Sequence, residues 1–136
     1  MPKQEIRSDD LARPNGHFSQ AVAANALGRL VFVSGMTARR PDGTIAGIGD
    51  VEAQTHQVCE NLKAALEAVG GTIDDICRLD VYVRNMEHFD MIHRVRREYF
   101  SHPAPASTMV EVSKFTSPDY LIEISAIALV SGGASE

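Results

Sequence analysis

The chain has little with which to cross-link itself or to enter a bilayer. It holds two cysteines, Cys59 and Cys77, in 136 residues. They form no C-x-x-C pair. Two small buried thiols are expected, Cys59 on a helix face and Cys77 on a strand, rather than a disulfide. No apolar run approaches the roughly 20 residues of a helical membrane span. The N-terminus, Met1-Pro2-Lys3-Gln4-Glu5, lacks the apolar core of a signal peptide. A cytoplasmic location with no membrane partner is the expectation. Basic residues are also short, 13 against 18 acidic, for a net charge of −5. Such a surface repels a phosphate backbone unless its cations cluster. The one small cluster is Arg94, Arg96 and Arg97 beside His93. It lacks interleaved aromatics and reads as a solvated helix face, so nucleic acid is not an expected partner.

Metal and cofactor signals are missing as well. His88 and His93 stand five apart, which misses the i, i+4 pairing of helical zinc sites. His17, His56 and His102 are isolated. There is no phosphate loop and no dinucleotide fingerprint; Asp42-Gly43 and Gly70-Gly71 read as turns. No cofactor is expected.

What is present is a core. Hydrophobic residues make up 44% of the chain, and a domain of this size buries roughly two-thirds of its unfolded surface. One domain over 1–136 is expected, with a polar arm at 1–16 and a flexible tail at 131–136. Strands are predicted from Phe18 to Ala23 and over Arg29-Leu30-Val31-Phe32-Val33-Ser34-Gly35, with a short third from Thr44 to Ile48. Asp50 is a candidate N-cap for a helix to about Val69, whose stripe is Val58, Leu62, Ala65, Leu66 and Val69. Cys77, Leu79, Val81 and Val83 alternate with Arg78, Asp80, Tyr82 and Arg84, which predicts a half-buried strand. Asn85 can cap a second helix carrying Phe89, Ile92, Val95 and Tyr99. Strands follow at 106–113 and from Leu121 to Val130.

This order predicts an α+β protein of two layers, one mixed sheet with two helices on one face. The last strand is apolar on both sides, with Ile122, Ile124, Ala126, Ala128 and Val130 alternating with Leu121, Ile127 and Leu129. A strand apolar on both faces is usually covered on both. With only two helices available, the second cover is expected to be another subunit.

Several segments together resemble the reactive-intermediate deaminase superfamily (RidA, YjgF, endoribonuclease L-PSP). They are Gly16-His17-Phe18-Ser19-Gln20-Ala21-Val22, Val31-Phe32-Val33-Ser34-Gly35 and Val81-Tyr82-Val83-Arg84-Asn85-Met86. Pro105-Ala106 with Val110-Glu111-Val112 and Ile122-Glu123-Ile124 with Ala126-Ile127-Ala128 complete the set. The resemblance implies a chorismate mutase-like fold and a homotrimer with small-molecule clefts between subunits. It further implies cofactor-free hydrolysis of small enamine or imine acids. Ala12-Arg13-Pro14 with Gly16 and Phe18, then Ser34-Gly35 followed by Arg39-Arg40-Pro41-Asp42, look most like the 2-aminomuconate deaminase branch.

By the same resemblance, Glu123 matches the glutamate that positions the attacking water, and Gly35 the glycine whose backbone faces the substrate. Phe18 stands where a tyrosine is common, and Met109 where a small cleft residue is. Deaminating members carry an arginine after the Pro-Ala pair, to clamp the substrate carboxylate; here that position is Ser107. A hydroxyl offers one neutral hydrogen bond, worth roughly 1 kcal/mol net against about 1.5–3 for a charged one. Either the ligand has no carboxylate there or another cation replaces the arginine. Arg39 and Arg40 are the candidates, ahead of Arg84, Arg94 and Arg97. Ser107 and Thr108 could together bind a hydroxyl or amide. No His-Asp pair near Ser107 supports a nucleophile. Three functions fit this resemblance: the deaminase, a diverged ligand-binding trimer and an RNA-cleaving or translation-inhibiting protein. The acidic balance argues against the last.

Overall fold

The computed structural model describes residues 3–25 and 27–131. A four-stranded mixed sheet carries two helices on one face. Its strands are β3 (Arg29–Met36), β4 (Ile76–Val83), β5 (Ala106–Glu111) and β6 (Ile122–Val130), in the order β3-β6-β4-β5. β4 and β5 run parallel; the other pairs are antiparallel. The helices are α1 (Val51–Ala68) and α2 (Phe89–Tyr99).

The expected polar arm instead contains a strand, β1 (Lys3–Ile6), paired with β2 (Ala21–Ala24) in a separate two-stranded ribbon. Lys3 is 6% exposed, and its Nζ donates to the Ile76 carbonyl at 2.9 Å. A lysine can bury its stem when its head finds an acceptor, which polarity alone does not reveal. β2 starts later than Phe18, because the backbone of Phe18 bonds Gly16 and that of Ser19 bonds Pro105. The third strand at Thr44 to Ile48 does not form. Arg39 and Ile45 make a single bridge around the Pro41-Asp42-Gly43 turn, and Gly47 and Gly49 at positive φ (62° and 80°) bend the chain into α1. Ala26 of the predicted turn and the tail from 132 on lie outside the described residues.

Asp50 caps α1 as expected, its carboxylate accepting from the Ala53 amide at 3.1 Å. Val58, Leu62 and Leu66 are fully buried against Leu79, Val81, Ile122 and Ile124. Each such side chain contributes about 1.5–3 kcal/mol. Asn85 caps a 3-10 turn at Met86–His88 that leads into α2. Ile92 and Val95 fill its buried side, but His93 and Arg96 are buried with them, at 3% and 1% exposure. The basic cluster is therefore not one solvated face. Arg94 is exposed and reaches Glu52 on α1 at 3.7 Å, while Arg96 points inward. Arg96 lies four residues after Ile92 and seven after Phe89, which puts it on the apolar stripe.

Gln54 on α1 positions the start of β6. It is fully buried; its amide donates to Gly47 O and Asp119 O, and its carbonyl accepts from Leu121 N. The helix-facing side of β6 is Ile122, Ile124, Ala126 and Ala128. The other side carries Glu123, Ser125, Ile127 and Leu129, opposite Phe32 and Leu30 of β3. On that side Leu30 is 61% exposed and Phe32 71%, and Val110 on β5 is 42% exposed.

Candidate functional site

Glu123 projects from the open side of β6, between Tyr82 on β4 and the end of β3. The β3–β6 register breaks between Val33 and Met36, and this irregularity brings Gly35 against the Glu123 side chain. A Cβ added at Gly35 would fall on the Glu123 carboxylate. The glycine is thus required for space rather than for an unusual φ. Together they border a hollow of about 500 Å³ whose other walls include Tyr82, Val112, Lys114 and Phe115. A carboxylate beside backbone at an open mouth can orient a water and exchange protons with it.

Ser107 lies elsewhere. It stands opposite Leu79 in the parallel β4–β5 register, and it faces the helices. Its hydroxyl accepts from Arg96 Nη2 at 3.0 Å. The same nitrogen reaches the His17 carbonyl at 3.4 Å, and Arg96 Nε has no partner. Burial lowers the Arg96 pKa to about 10, which leaves it charged at neutral pH. Burial, then the Arg96 charge, push His93 down to about 4. The His93 ring stacks on Phe89 at 4.0 Å and its Nδ1 bonds the Phe89 carbonyl.

Thr108, the next residue, turns to the open side and accepts from Arg78 Nη2 at 2.7 Å; that arginine also pairs with Asp80 at 2.8 Å. Met109 packs against the core. Phe18 lines a hollow of about 490 Å³ under the N-terminal segment, with His17, Ser19, His102 and Arg13 among its walls. Ser19 ties this segment to the start of β5, its hydroxyl donating to the Ala104 carbonyl. Arg39 and Arg40 line a third hollow, with Gly35, Met36 and Asn61. Arg40 is held there by Thr44 Oγ1 at 3.1 Å.

The named residues therefore form two groups in one chain. Gly35 and Glu123 share the open face, with Arg39 and Arg40 around the corner from Gly35. Ser107 and Phe18 belong to the β5 edge. Two strand spacings and three residues of strand separate Glu123 from Ser107, roughly 10 Å across and 10 Å along, and they lie on opposite faces.

Residues 10–130 match the family model described as Endoribonuclease L-PSP. The chain belongs to that family, the family of the RidA and YjgF proteins. A RutC family protein of Pyrococcus horikoshii is 39% identical over 126 residues, covering 93% of this chain and 97% of that protein. A RutC family protein of Saccharolobus solfataricus is 36% identical over 126 residues, covering 93% of this chain and 97% of its own length. Among solved structures, a Rid family protein of unknown function from Yersinia pestis superposes with a TM-score of 0.83 at 29% identity, covering 96% of this chain and 100% of the other. RidA from an Antarctic Psychrobacter gives 0.69 at 29% identity, covering 93% and 99%.

Within this RidA/YjgF chain, sequence reasoning missed Arg96, Lys114 and Tyr82. Arg96 was detectable from its place on the α2 stripe, where an arginine is out of character. Lys114 carried no signal, because it sits in a loop whose course depends on β5 and β6 together. Among the described residues no three His, Cys, Asp or Glu side chains come together that could hold a metal ion, and no helix is long and apolar enough to cross a membrane.

Proposed function

We propose that this protein is a cofactor-independent hydrolytic deaminase of small enamine and imine acids, 2-aminomuconate-like acids among them, and that it works as a homotrimer in the cytoplasm. The observation that carries this is the Glu123 carboxylate held over the space left by Gly35, in a hollow on the open sheet face. Glu123 accepts a proton from a water as the oxygen attacks the C=N carbon of the imine. Glu123 returns that proton to the nitrogen to give the carbinolamine. The carbinolamine hydroxyl then passes its proton by way of Glu123 to the nitrogen as the C–N bond breaks, and ammonia and a carbonyl compound leave. An enamine first gains a proton at carbon to become the imine.

The trimer is supported by the exposed apolar side chains of the open sheet face, Leu30 and Phe32 together on β3 and Val110 at the opposite edge on β5. It is also supported by the split between the two residue groups. A seam between copies is the simplest way to set the Ser107 edge of one beside the Glu123 face of the next.

Ammonia release from freshly generated 2-aminoacrylate and from 2-aminomuconate tests the activity. Release above the spontaneous rate, abolished by Glu123→Ala, is expected. Silence with both, beside an active control, would favour a ligand-binding trimer that has lost the chemistry. The specific support for that second reading is that the Ser107 hydroxyl already accepts from Arg96. An RNA-cleaving role has less support. The net charge is −5, and burial of Arg96 breaks up the Arg94, Arg96 and Arg97 cluster.

A further inference from the structure

Arg96 is a buried cation. It is 1% exposed, and among the described residues no carboxylate lies within salt-bridge distance of it. The acidic group that bears on it is the Cys59 thiol, which burial pushes up to about 12 and so keeps neutral. His93 beside it is neutral as well. An unpaired buried charge is costly, and such groups are ordinarily paired. Arg96 is paired only with dipoles, the Ser107 hydroxyl and, at a long 3.4 Å, the His17 carbonyl.

Both dipoles belong to half-buried residues at the β5 edge, so they form the outlet of this charge toward solvent. A guanidinium can only donate. Ser107 Oγ must therefore accept from it, and the hydroxyl proton is left to point elsewhere. A hydroxyl polarised by a cation behind it is a stronger donor than a free one.

We propose that Arg96 and Ser107 together form an anion anchor that takes the carboxylate of a small ligand at the β5 edge. Ser107 donates its proton to the carboxylate, and Arg96 supplies the positive charge from behind. Arg96 is a positioning residue here, acting through Ser107. This rests on the proposed function for the existence of a ligand, but it concerns recognition and not turnover. It places the source of charge in the same copy as Ser107, whereas Arg39 and Arg40 line a hollow beside Gly35.

The test is calorimetric binding of pyruvate and of its uncharged analogue pyruvamide, with oligomeric state followed by light scattering. Wild type is expected to bind pyruvate the more tightly. Arg96→Met should weaken pyruvate about 10–100-fold, the equivalent of one charge-assisted hydrogen bond, and leave pyruvamide little changed. Ser107→Ala should act in the same direction, and it keeps the test open should Arg96→Met fail to fold. Equal affinity for both probes in wild type, or unchanged pyruvate binding in Ser107→Ala, would overturn the proposal. So would an Arg96→Met protein that folds but falls apart into monomers, because the guanidinium would then be pairing with a carboxylate of the neighbouring copy. Charge-selective binding without ammonia release would leave the anchor standing and remove the deaminase; turnover without charge selectivity would do the reverse.

Discussion

Gly35 and Glu123 meet across β3 and β6, and the missing side chain of the first is the space occupied by the carboxylate of the second. Gly35 needs no positive φ, so alanine is compatible with its backbone. The Gly35→Ala methyl would collide with the flexible end of Glu123 and not with the main chain. Folding should therefore survive, with a change of no more than about 1 kcal/mol, while ammonia release falls by about 100-fold, in line with a displaced general base. Thermal melts beside turnover assays separate the two effects.

The open sheet face gives a second expectation. Phe32 is 71% exposed and stands opposite Ile127. Phe32→Glu should leave a folded chain but shift it to monomer in light scattering, because a carboxylate in an apolar seam loses several kcal/mol of hydration. Retention of the assembly would place the seam elsewhere.

Gln54 ties two loops to α1 with three hydrogen bonds in full burial. Gln54→Leu removes all three and leaves backbone groups of Gly47, Asp119 and Leu121 without partners. A loss of about 2–4 kcal/mol is expected in urea unfolding. Since Leu121 leads directly into β6, activity should fall with it.

His93 supplies a pH dependence. Its folded pKa is lowered to about 4, by burial first and by Arg96 second, against 6.5 in the unfolded chain. Between these values the unfolded state binds the extra proton, so stability rises with pH. The contribution is whole above pH 6.5 and drains away as the pH falls toward 4, reaching about 3 kcal/mol at most. The drop in urea midpoint from pH 7 to pH 5 should be larger in wild type than in His93→Gln.

The two main helices, the alternating strand at Ile76–Val83 and the doubly apolar β6 were legible because each rests on a local period or cap. The Asp50 cap and the Val58, Leu62, Leu66 stripe fall in place for that reason. What escaped depends on distant chain. Lys3 becomes buried only because the Ile76 carbonyl waits 73 residues away, and Thr44 to Ile48 stays a loop because its pairing with 38–40 is limited to one bridge before Gly47 and Gly49 turn the chain. At the site, Glu123 and Gly35 come together as their neighbouring strands require. The Arg96 contact to Ser107 joins α2 to β5, and the arginine in that contact looked like one member of a surface cluster. Arg39 and Arg40 follow Gly35 closely in sequence, and they line a hollow that Gly35 also borders.

Subunit complementation tests most directly whether Glu123 of one copy works beside Ser107 and Arg96 of the next. Glu123→Ala and Arg96→Met, each impaired alone, are unfolded together, refolded as a mixture and assayed for ammonia release. Random trimers with sites at the seams should recover about a quarter of the wild-type rate, since one seam in four then joins two intact halves. Activity no greater than the sum of the two variants would contradict a shared site.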